Sequence, residues 1–213
     1  MPPDIILAFD TSAAHCAADL LSGDRVLSRL ELMDKGQAER LMPMLTEMLA
    51  EAGFAWADLT LIGVGTGPGN ATGVRISVAA ARGLALGLGI PAIGVTRLDA
   101  AAYGLPRPLA VVEDARRGEV YVQIMDPEPG TAQVVPVAEL EAIVRDLPLA
   151  GTAAPLLPGI PAARLVHQPV PLAEAIARIA EGRDPVGAPR PAPFYLRGAD
   201  ATPPSDPPLV ILP

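Results

Sequence analysis

The order of apolar segments in the first 96 residues allows few folds. Residues 5–12 predict a buried strand, and residues 15–32 predict a hairpin that turns at residues 22–24. Helix and strand patterns then alternate, with helices over 38–53 and 73–89 and strands over 59–65 and 91–96. A hairpin followed by such an alternation predicts a mixed sheet that is covered by helices.

The helix over residues 38–53 has an amphipathic pattern. Leu41, Leu45, Met48 and Ala52 form one stripe at helical spacing, and Met44 and Leu49 lie beside it. Pro43 predicts that the regular helix begins near Leu41 or is kinked there, because proline lacks the amide proton of a helix interior.

The second half of the chain has weaker patterns. Residues 108–114 and 119–125 predict paired strands about a turn at 115–118, and residues 137–147 and 172–182 predict helices. From residue 183 onward the chain is rich in proline, which predicts an extended tail. The segment 194–198, FYLRG, is expected to dock on the body of the protein.

Composition excludes several classes of function. The net charge of −8 disfavours a direct grip on nucleic acid through charge, and the single cysteine fits a reducing cytosol without disulfides. The longest apolar stretch, residues 73–96, is interrupted by Arg75, Arg82 and Pro91, so we expect no membrane span and a cytoplasmic protein. The start, MPPDIILAFD, shows no secretory signal.

A glycine-rich loop, GTGPGNATGVR at residues 65–75, joins the strand over 59–65 to the next helix. It is not a Walker loop, because Val74 and Arg75 follow its last glycine, and it is not a Rossmann fingerprint, because Asn70 stands at the third glycine. Two interpretations stay open: a tight turn that needs glycine for steric reasons, or an anion site at the helix N-terminus. The candidate nucleotide or anion loop consists of Gly67, Pro68, Gly69, Thr72, Gly73 and Arg75.

The helix over 73–89 carries small residues at every fourth position, namely Ala79, Gly83 and Gly87. Each glycine inside a helix costs roughly 1 kcal/mol relative to alanine, so two of them call for an explanation. Close approach of another helix would supply one. That helix could belong to a partner or to the protein itself, and the sequence favours neither.

No catalytic constellation is visible in the sequence. His15 and Cys16 are adjacent in a strand and point to opposite faces, and the histidines and the cysteine lack the spacing of a metal site. Asp10 and Asp114, each after a strand, could bind metal or phosphate, but such residues more often cap turns. We therefore predict no catalytic residue and no metal site.

Several motifs together resemble the TsaB (YeaZ) family. FDTS, the block GTGPGNATGVRISVAAARGLALGLGIP and the segment EDARRGEVY carry the resemblance, which is strong over residues 5–96 and 114–121. The chain departs from the family pattern at Asn70, Ala71 and Ser77, and Gln37 stands at a usual histidine.

The resemblance implies an α/β actin-like ATPase fold, of the ASKHA or ribonuclease H-like kind, with two lobes of which the second is degenerate. We expect an N-terminal lobe over 1–103 and a smaller C-terminal lobe with a proline-rich tail over 104–213. It also implies a non-catalytic subunit that pairs with TsaD, and with TsaE, in forming N6-threonylcarbamoyladenosine beside the tRNA anticodon. TsaD needs a pair of histidines on a helix, which this sequence lacks.

The resemblance places the partner surface on the two N-terminal helices, and a homodimer would use the same face. The residues assigned to this surface are Leu41, Met44, Leu45, Met48, Arg75, Ile76, Ala79, Ala80, Gly83 and Gly87. We expect no intrinsic cofactor, with ATP or ADP at most at the junction with TsaD, and tRNA binding only through the complex. The alternatives are a free-standing actin-fold ATPase or kinase and a glycopeptidase-like metalloprotein.

Overall fold

The first of two sheets has the mixed topology that the alternating pattern predicts. In the computed structural model, which describes residues 3–197, its strands are β1 (Ile5–Asp10), β2 (His15–Ser22), β3 (Arg25–Leu32), β4 (Leu61–Gly65) and β5 (Ala92–Val95). Their order is β3-β2-β1-β4-β5, antiparallel across the hairpin and parallel from β1 to β5. This confirms the fold class, an α/β actin-like fold of the ribonuclease H-like kind.

The second sheet is smaller and has the order β8-β7-β6-β9. The predicted pair of strands is present as β6 (Leu109–Arg116) and β7 (Glu119–Met125). The sequence analysis missed β8 (Gln133–Pro136) and β9 (Leu149–Ala150), because strands of four and two residues are too short to show a period.

Helices cover both faces of the first sheet. The five helices are α1 (Gln37–Ala52), α2 (Ala71–Leu88), α3 (Arg97–Ala101), α4 (Val137–Val144) and α5 (Leu172–Glu181). Side chains of α1 and α2 share one core with Phe9 and Ile62, whereas α5 contributes Ile176 to a separate core with Ile6 and Ile93. Thus α5, from the second half of the chain, packs on the first sheet, and the division at residues 103/104 stays a prediction.

The first helix begins earlier than Pro43 suggested. It starts at Gln37, after Gly36 in the left-handed conformation, and continues through Pro43 to Ala52. Gln37 anchors this start by donating from Nε2 to the carbonyl of Met33 over 3.0 Å. The predicted start near Leu41 is therefore wrong, and the predicted stop at Gly53 is confirmed.

Among residues 3–197, α2 alone is long and apolar enough to cross a membrane by length and composition. Core helices of soluble proteins pass the same test, and Val74, Val78 and Ala81 of α2 are buried against the first sheet. One face of α2 therefore packs in the core, and its other face is exposed.

A buried carboxylate, Asp19 on β2, joins the first sheet to the start of α5. It accepts a short hydrogen bond from the Ser28 hydroxyl and another from the backbone amide of Glu174. Burial raises the pKa of Asp19 to about 7, and the nearby charge of Glu174 adds to the rise, while Ser28 and Arg178 oppose it. The charged form is therefore disfavoured in the folded protein.

We expect the folded state to lose stability as the pH rises from 5 to 8. The folded pKa of about 7 exceeds the ordinary value of 3.8, so the folded chain binds the extra proton between these values. The change is on the order of 3 kcal/mol, at 1.36 kcal/mol per pH unit. Asp19→Asn should remove it, because asparagine carries no titrating charge: its oxygen can accept from the Glu174 amide, and its Nδ2 can donate to the Ser28 hydroxyl. Urea unfolding at pH 5, 6, 7 and 8 measures the effect, and an equally steep profile in the variant would contradict it.

Candidate partner-binding site

The glycines of the loop between β4 and α2 allow main chain to approach main chain. A Cβ on Gly73 would lie 1.8 Å from the carbonyl oxygen of Thr11, and one on Gly69 would lie 2.4 Å from that of Ser12. Both oxygens belong to the turn that leaves β1. The interpretation as a tight turn thus accounts for these glycines, since any side chain would collide with backbone.

Hydrogen bonds fasten the same loop to the end of β1. The Thr11 hydroxyl donates to the Gly73 carbonyl over 2.6 Å, and the Asn70 amide donates to the Ser12 carbonyl over 2.7 Å. The Asn70 side chain caps α2 by accepting from the Thr72 amide over 3.0 Å. Residues 11–12 therefore pack directly against Gly69 and Gly73, and the nucleotide or anion role of the loop stays a prediction.

A later segment of the chain covers the loop. The Phe194 amide donates to the Thr66 carbonyl over 2.8 Å, and Arg75 Nε donates to the Tyr195 hydroxyl over 2.9 Å. Phe194 and Leu196 pack against the apolar core between the sheets. The predicted docking of FYLRG is confirmed for residues 194–197; Gly198 and the remaining tail lie outside the described residues.

Asp10 and Asp114 both act as turn caps. Oδ1 of Asp10 accepts from the Ser12 amide over 2.9 Å, and Oδ1 of Asp114 accepts from the Arg116 amide over 2.8 Å. Each carboxylate therefore binds the amide two residues later, which is the common role of aspartate in turns.

Asp10 also pairs with His15, a contact that the sequence analysis missed. His15 Nε2 lies 2.9 Å from Asp10 Oδ1, while Asp10 Oδ2 is buried without a hydrogen-bond partner among residues 3–197. Burial raises the pKa of Asp10, but the His15 hydrogen bond and the charge of Arg97 outweigh it, so the pKa lies below the ordinary value. The short turn after β1 could have indicated this pair, because it brings the start of β2 back alongside the end of β1.

A buried ion pair connects the two sheets. Arg97, which opens α3 after β5, donates from Nε to Oε2 of Glu113 on β6 over 2.9 Å, and both side chains are almost fully buried. Glu113 also accepts from the amide and hydroxyl of Thr152. Nothing in the sequence indicates this pair, since its members are 16 residues apart on separate elements.

One face of α2 is exposed and almost bare of side chains. Ala79, Gly83 and Gly87 are exposed, and a Cβ added to either glycine would meet nothing within 4 Å. Leu86 beside them is 79% exposed. The alternative that this ridge packs on the protein's own neighbour is therefore wrong for residues 3–197. Arg75 is exposed too, whereas Ile76 and Ala80 are half-buried against the core.

The contribution of α1 to the partner surface needs correction. Leu41, Met44, Leu45 and Met48 are at most 1% exposed and belong to the core on that side of the first sheet. The apolar stripe of α1 faces inward, as in any helix packed on a sheet, and cannot touch a partner directly. On α1 the exposed apolar side chain is Met42, at 38% exposure.

The whole architecture is similar to a solved structure, YeaZ from Pseudomonas aeruginosa. The match covers 91% of this chain and 100% of that one, with a TM-score of 0.71 and 30% sequence identity. The chain belongs to the TsaB/YeaZ family. Residues 31–157 also match the family model described as TsaD, tRNA N6-adenosine threonylcarbamoyltransferase.

Two curated relatives match parts of the chain, and one of them is named TsaB. The tRNA threonylcarbamoyladenosine biosynthesis protein TsaB of Escherichia coli K12 is 39% identical over 122 residues, which are 54% of this chain and 52% of that protein. An uncharacterized protein of Mycobacterium leprae is 35% identical over 179 residues, 75% of this chain and 50% of that protein. The chain thus spans about half the length of the curated relatives it matches. The name of the Escherichia coli relative and the description of the TsaD family model both refer to threonylcarbamoyl modification of adenosine in tRNA.

Proposed function

We propose that this chain is a non-catalytic subunit in the formation of N6-threonylcarbamoyladenosine beside the tRNA anticodon. In this proposal it pairs with the catalytic subunit TsaD, and the ATPase TsaE joins the pair. Any ATP or ADP bound by the complex would meet this chain at the junction with TsaD. Membership of the TsaB/YeaZ family supports the tRNA-modification role.

The main support for pairing with TsaD is the exposed ridge of α2, formed by Ala79, Gly83 and Gly87. Two glycines on the solvent face of a helix cost about 2 kcal/mol relative to alanine, and none of residues 3–197 fills the space they leave. A partner helix could approach such a face to backbone distance and gain dispersion contacts along its length. Leu86 and Met42, both exposed, would add apolar area at the same interface.

The local chemistry supports a subunit without catalysis. The glycine loop holds the backbone of residues 11–12, and the Asp10 and Asp114 carboxylates are engaged in turns. No group of three or more His, Cys, Asp or Glu side chains within residues 3–197 is placed to hold a metal ion. In this proposal Oδ1 of Asp10 and Oδ1 of Asp114 each hold a turn, while Oδ2 of Asp10 is buried without a hydrogen-bond partner among residues 3–197.

Gly83→Leu is expected to abolish pairing with TsaD while leaving the isolated chain folded. Leucine favours helix over glycine by up to roughly 1 kcal/mol, and a Cβ at this exposed position meets no atom of residues 3–197 within 4 Å. At an interface with helices at backbone distance the same side chain removes the central packing. Size exclusion with TsaD of the same organism and thermal melting of the variant measure the two effects.

Ala142→Leu on α4 is a matched control, because it adds the same side chain to an exposed helical position away from α2. It should leave the complex intact. If Gly83→Leu leaves the complex intact, the ridge faces solvent in the complex as well and does not form the interface with TsaD.

We also expect the isolated chain to bind tRNA weakly at physiological salt. With a net charge of −8, binding neutralises few phosphates overall and releases few counterions. Titration of a labelled tRNA transcript tests this, and tight, strongly salt-dependent binding by the single chain would contradict it.

A further inference from the structure

The two edges of the first sheet differ in how the chain covers them. At the β5 edge, the Arg183 guanidinium donates to the Gly94 carbonyl over 2.7 Å, and Pro191 lies beside the same glycine. At the β3 edge, none of the described residues, 3–197, hydrogen-bonds to the outer side of the strand. An open strand edge is a template for pairing with another strand, and folded proteins usually cover or interrupt such edges. The β3 edge therefore calls for an occupant.

The β2–β3 hairpin determines which backbone groups of β3 are open. Its two-residue loop makes Ser22 and Arg25 a hydrogen-bonded pair, and such pairs alternate along an antiparallel ladder. Residues 25, 27, 29 and 31 thus bond to β2, whereas the amides and carbonyls of residues 26, 28, 30 and 32 point outward.

The outward-bonding residues of β3 also carry an exposed apolar row. Leu30 is 62% exposed and Leu32 is 80% exposed, and Val26 is exposed as well. Leu27, between them in sequence, packs against the core under α1 and α2, so the row lies on the opposite face of the sheet. A long edge strand with apolar side chains is a site of association between chains.

The sequence of β3, RVLSRLEL, is complementary to itself in one antiparallel register. When Ser28 lies opposite the Ser28 of a second copy, Arg25 lies opposite Glu31 and Val26 lies opposite Leu30. Each of these two pairs occurs twice, and residues 26, 28 and 30 form the hydrogen-bonded pairs that their outward backbone groups require. Sliding one strand by two residues places Arg29 opposite Arg29 in one direction and opposite Arg25 in the other, and like charges across two strands are destabilising.

Both members of the charged pair can meet a second copy. Arg25 is exposed, and Glu31 is half-buried. Arg40 holds the Glu31 carboxylate in place, with Nε and Nη2 donating to its two oxygens over 2.7 and 2.6 Å. Each carboxylate oxygen can accept a second hydrogen bond, so Glu31 can bind Arg25 of the second copy at the same time. Opposite charges directly across two strands stabilise the pairing.

We infer that two copies of this chain pair along β3 and join their first sheets into one continuous sheet. The two-fold axis passes between the two Ser28 residues, perpendicular to the sheet. This pairing covers Val26 and Leu30 of both copies and leaves the exposed ridge of α2 free, because α2 packs on the other face. The inference goes beyond the proposed function and does not depend on it. It also differs from the homodimer that the family resemblance implies, which would use the α2 face.

The first test compares two leucine-to-lysine variants of the full chain. Leu30→Lys places a charge in the apolar pair at the β3 edge, and Leu86→Lys makes the same change at an exposed leucine of α2. Both positions are exposed, so each variant should fold, which thermal melting checks. Sedimentation velocity between about 1 and 100 µM measures association.

We expect the unaltered chain to be dimeric at the upper end of this range and Leu86→Lys to match it. Leu30→Lys should raise the dimer Kd about 100-fold, because the symmetric contact loses the same leucine twice, at about tenfold each. A monomeric unaltered chain throughout the range would overturn the inference and assign the edge to a different occupant. Equal weakening by both variants would also overturn it, and dissociation by Leu86→Lys alone would assign the dimer to α2.

The second test examines the register with single cysteines, since the native Cys16 is buried. In the inferred register the Cα atoms of the two residues 28 lie about 5.5 Å apart, so Ser28→Cys should give a covalent dimer with a short bismaleimide. Leu32→Cys is the matched control, because its exposed position lies eight residues along the ladder from its counterpart, about 27 Å away. A cross-linked dimer from Leu32→Cys, or none from Ser28→Cys in a protein that sediments as a dimer, would overturn the pairing along β3.

Discussion

Gly73→Ala is expected to destabilise the protein by more than about 3 kcal/mol, although it adds a single methyl group. The added Cβ would lie 1.8 Å from the Thr11 carbonyl oxygen and 2.9 Å from its carbonyl carbon. Both are backbone atoms, and the 2.6 Å hydrogen bond from the Thr11 hydroxyl to the Gly73 carbonyl holds them in place. Relief would require α2 to move away from the end of β1, which would open the core beneath it.

Gly83→Ala on the same helix is the matched control, with the opposite sign. No atom of the described residues, 3–197, lies within 4 Å of its added Cβ, so alanine should stabilise the chain by up to about 1 kcal/mol through helix propensity alone. At roughly 2–4 °C per kcal/mol for a chain of this size, the two melting temperatures should differ by roughly 8 °C or more. Equal melting temperatures would mean that the loop does not pack against residues 11–12.

These two glycines also show how far the sequence can go. The sequence left open whether Gly73 serves a tight turn or an anion site, and whether the helix packed near Gly83 belongs to a partner or to the protein itself. The fold gives Gly73 a steric role and Gly83 an open face. The mixed sheet with helices covering it, by contrast, could be predicted, because a hairpin followed by alternating helices and strands leaves few arrangements. The α1 stripe was recognised as apolar, yet periodicity cannot tell a face that meets the core from one that meets a partner.

Contacts between residues far apart in the chain could not be predicted from the sequence, for a related reason. Nothing in the amphipathic pattern of residues 172–182 indicates that α5 returns to the first sheet, because a period specifies a face and not its target. Asp19, in an otherwise apolar β2, finds its partners in Ser28 and the start of α5. The Arg97–Glu113 pair likewise depends on how the two sheets are placed.

Arg97→Met is expected to cost about 3–5 kcal/mol, because it leaves two buried carboxylates without their cation. Glu113 loses the Arg97 hydrogen bond, and Asp10 loses a nearby positive charge that helps to keep its pKa low. Since Arg97 follows β5 of the first sheet and Glu113 lies on β6 of the second, the loss falls on the contact between the sheets. Urea unfolding of the variant measures the change.

Arg97→Met/Glu113→Gln distinguishes buried charge from lost packing. Glutamine keeps one oxygen that can accept from the Thr152 amide, its Nε2 can donate to the Thr152 hydroxyl, and it carries no charge to leave uncompensated. We expect the double variant to recover about half of the loss, with Asp10 accounting for part of the remainder. Arg29→Met is the control at the surface, where Glu47 and Glu51 are about half exposed, and it should cost less than about 1 kcal/mol. If Arg97→Met costs no more than Arg29→Met, the pair does not hold the two sheets together, and their packing would have to come from the apolar cluster around Leu98, Val111 and Phe194 alone.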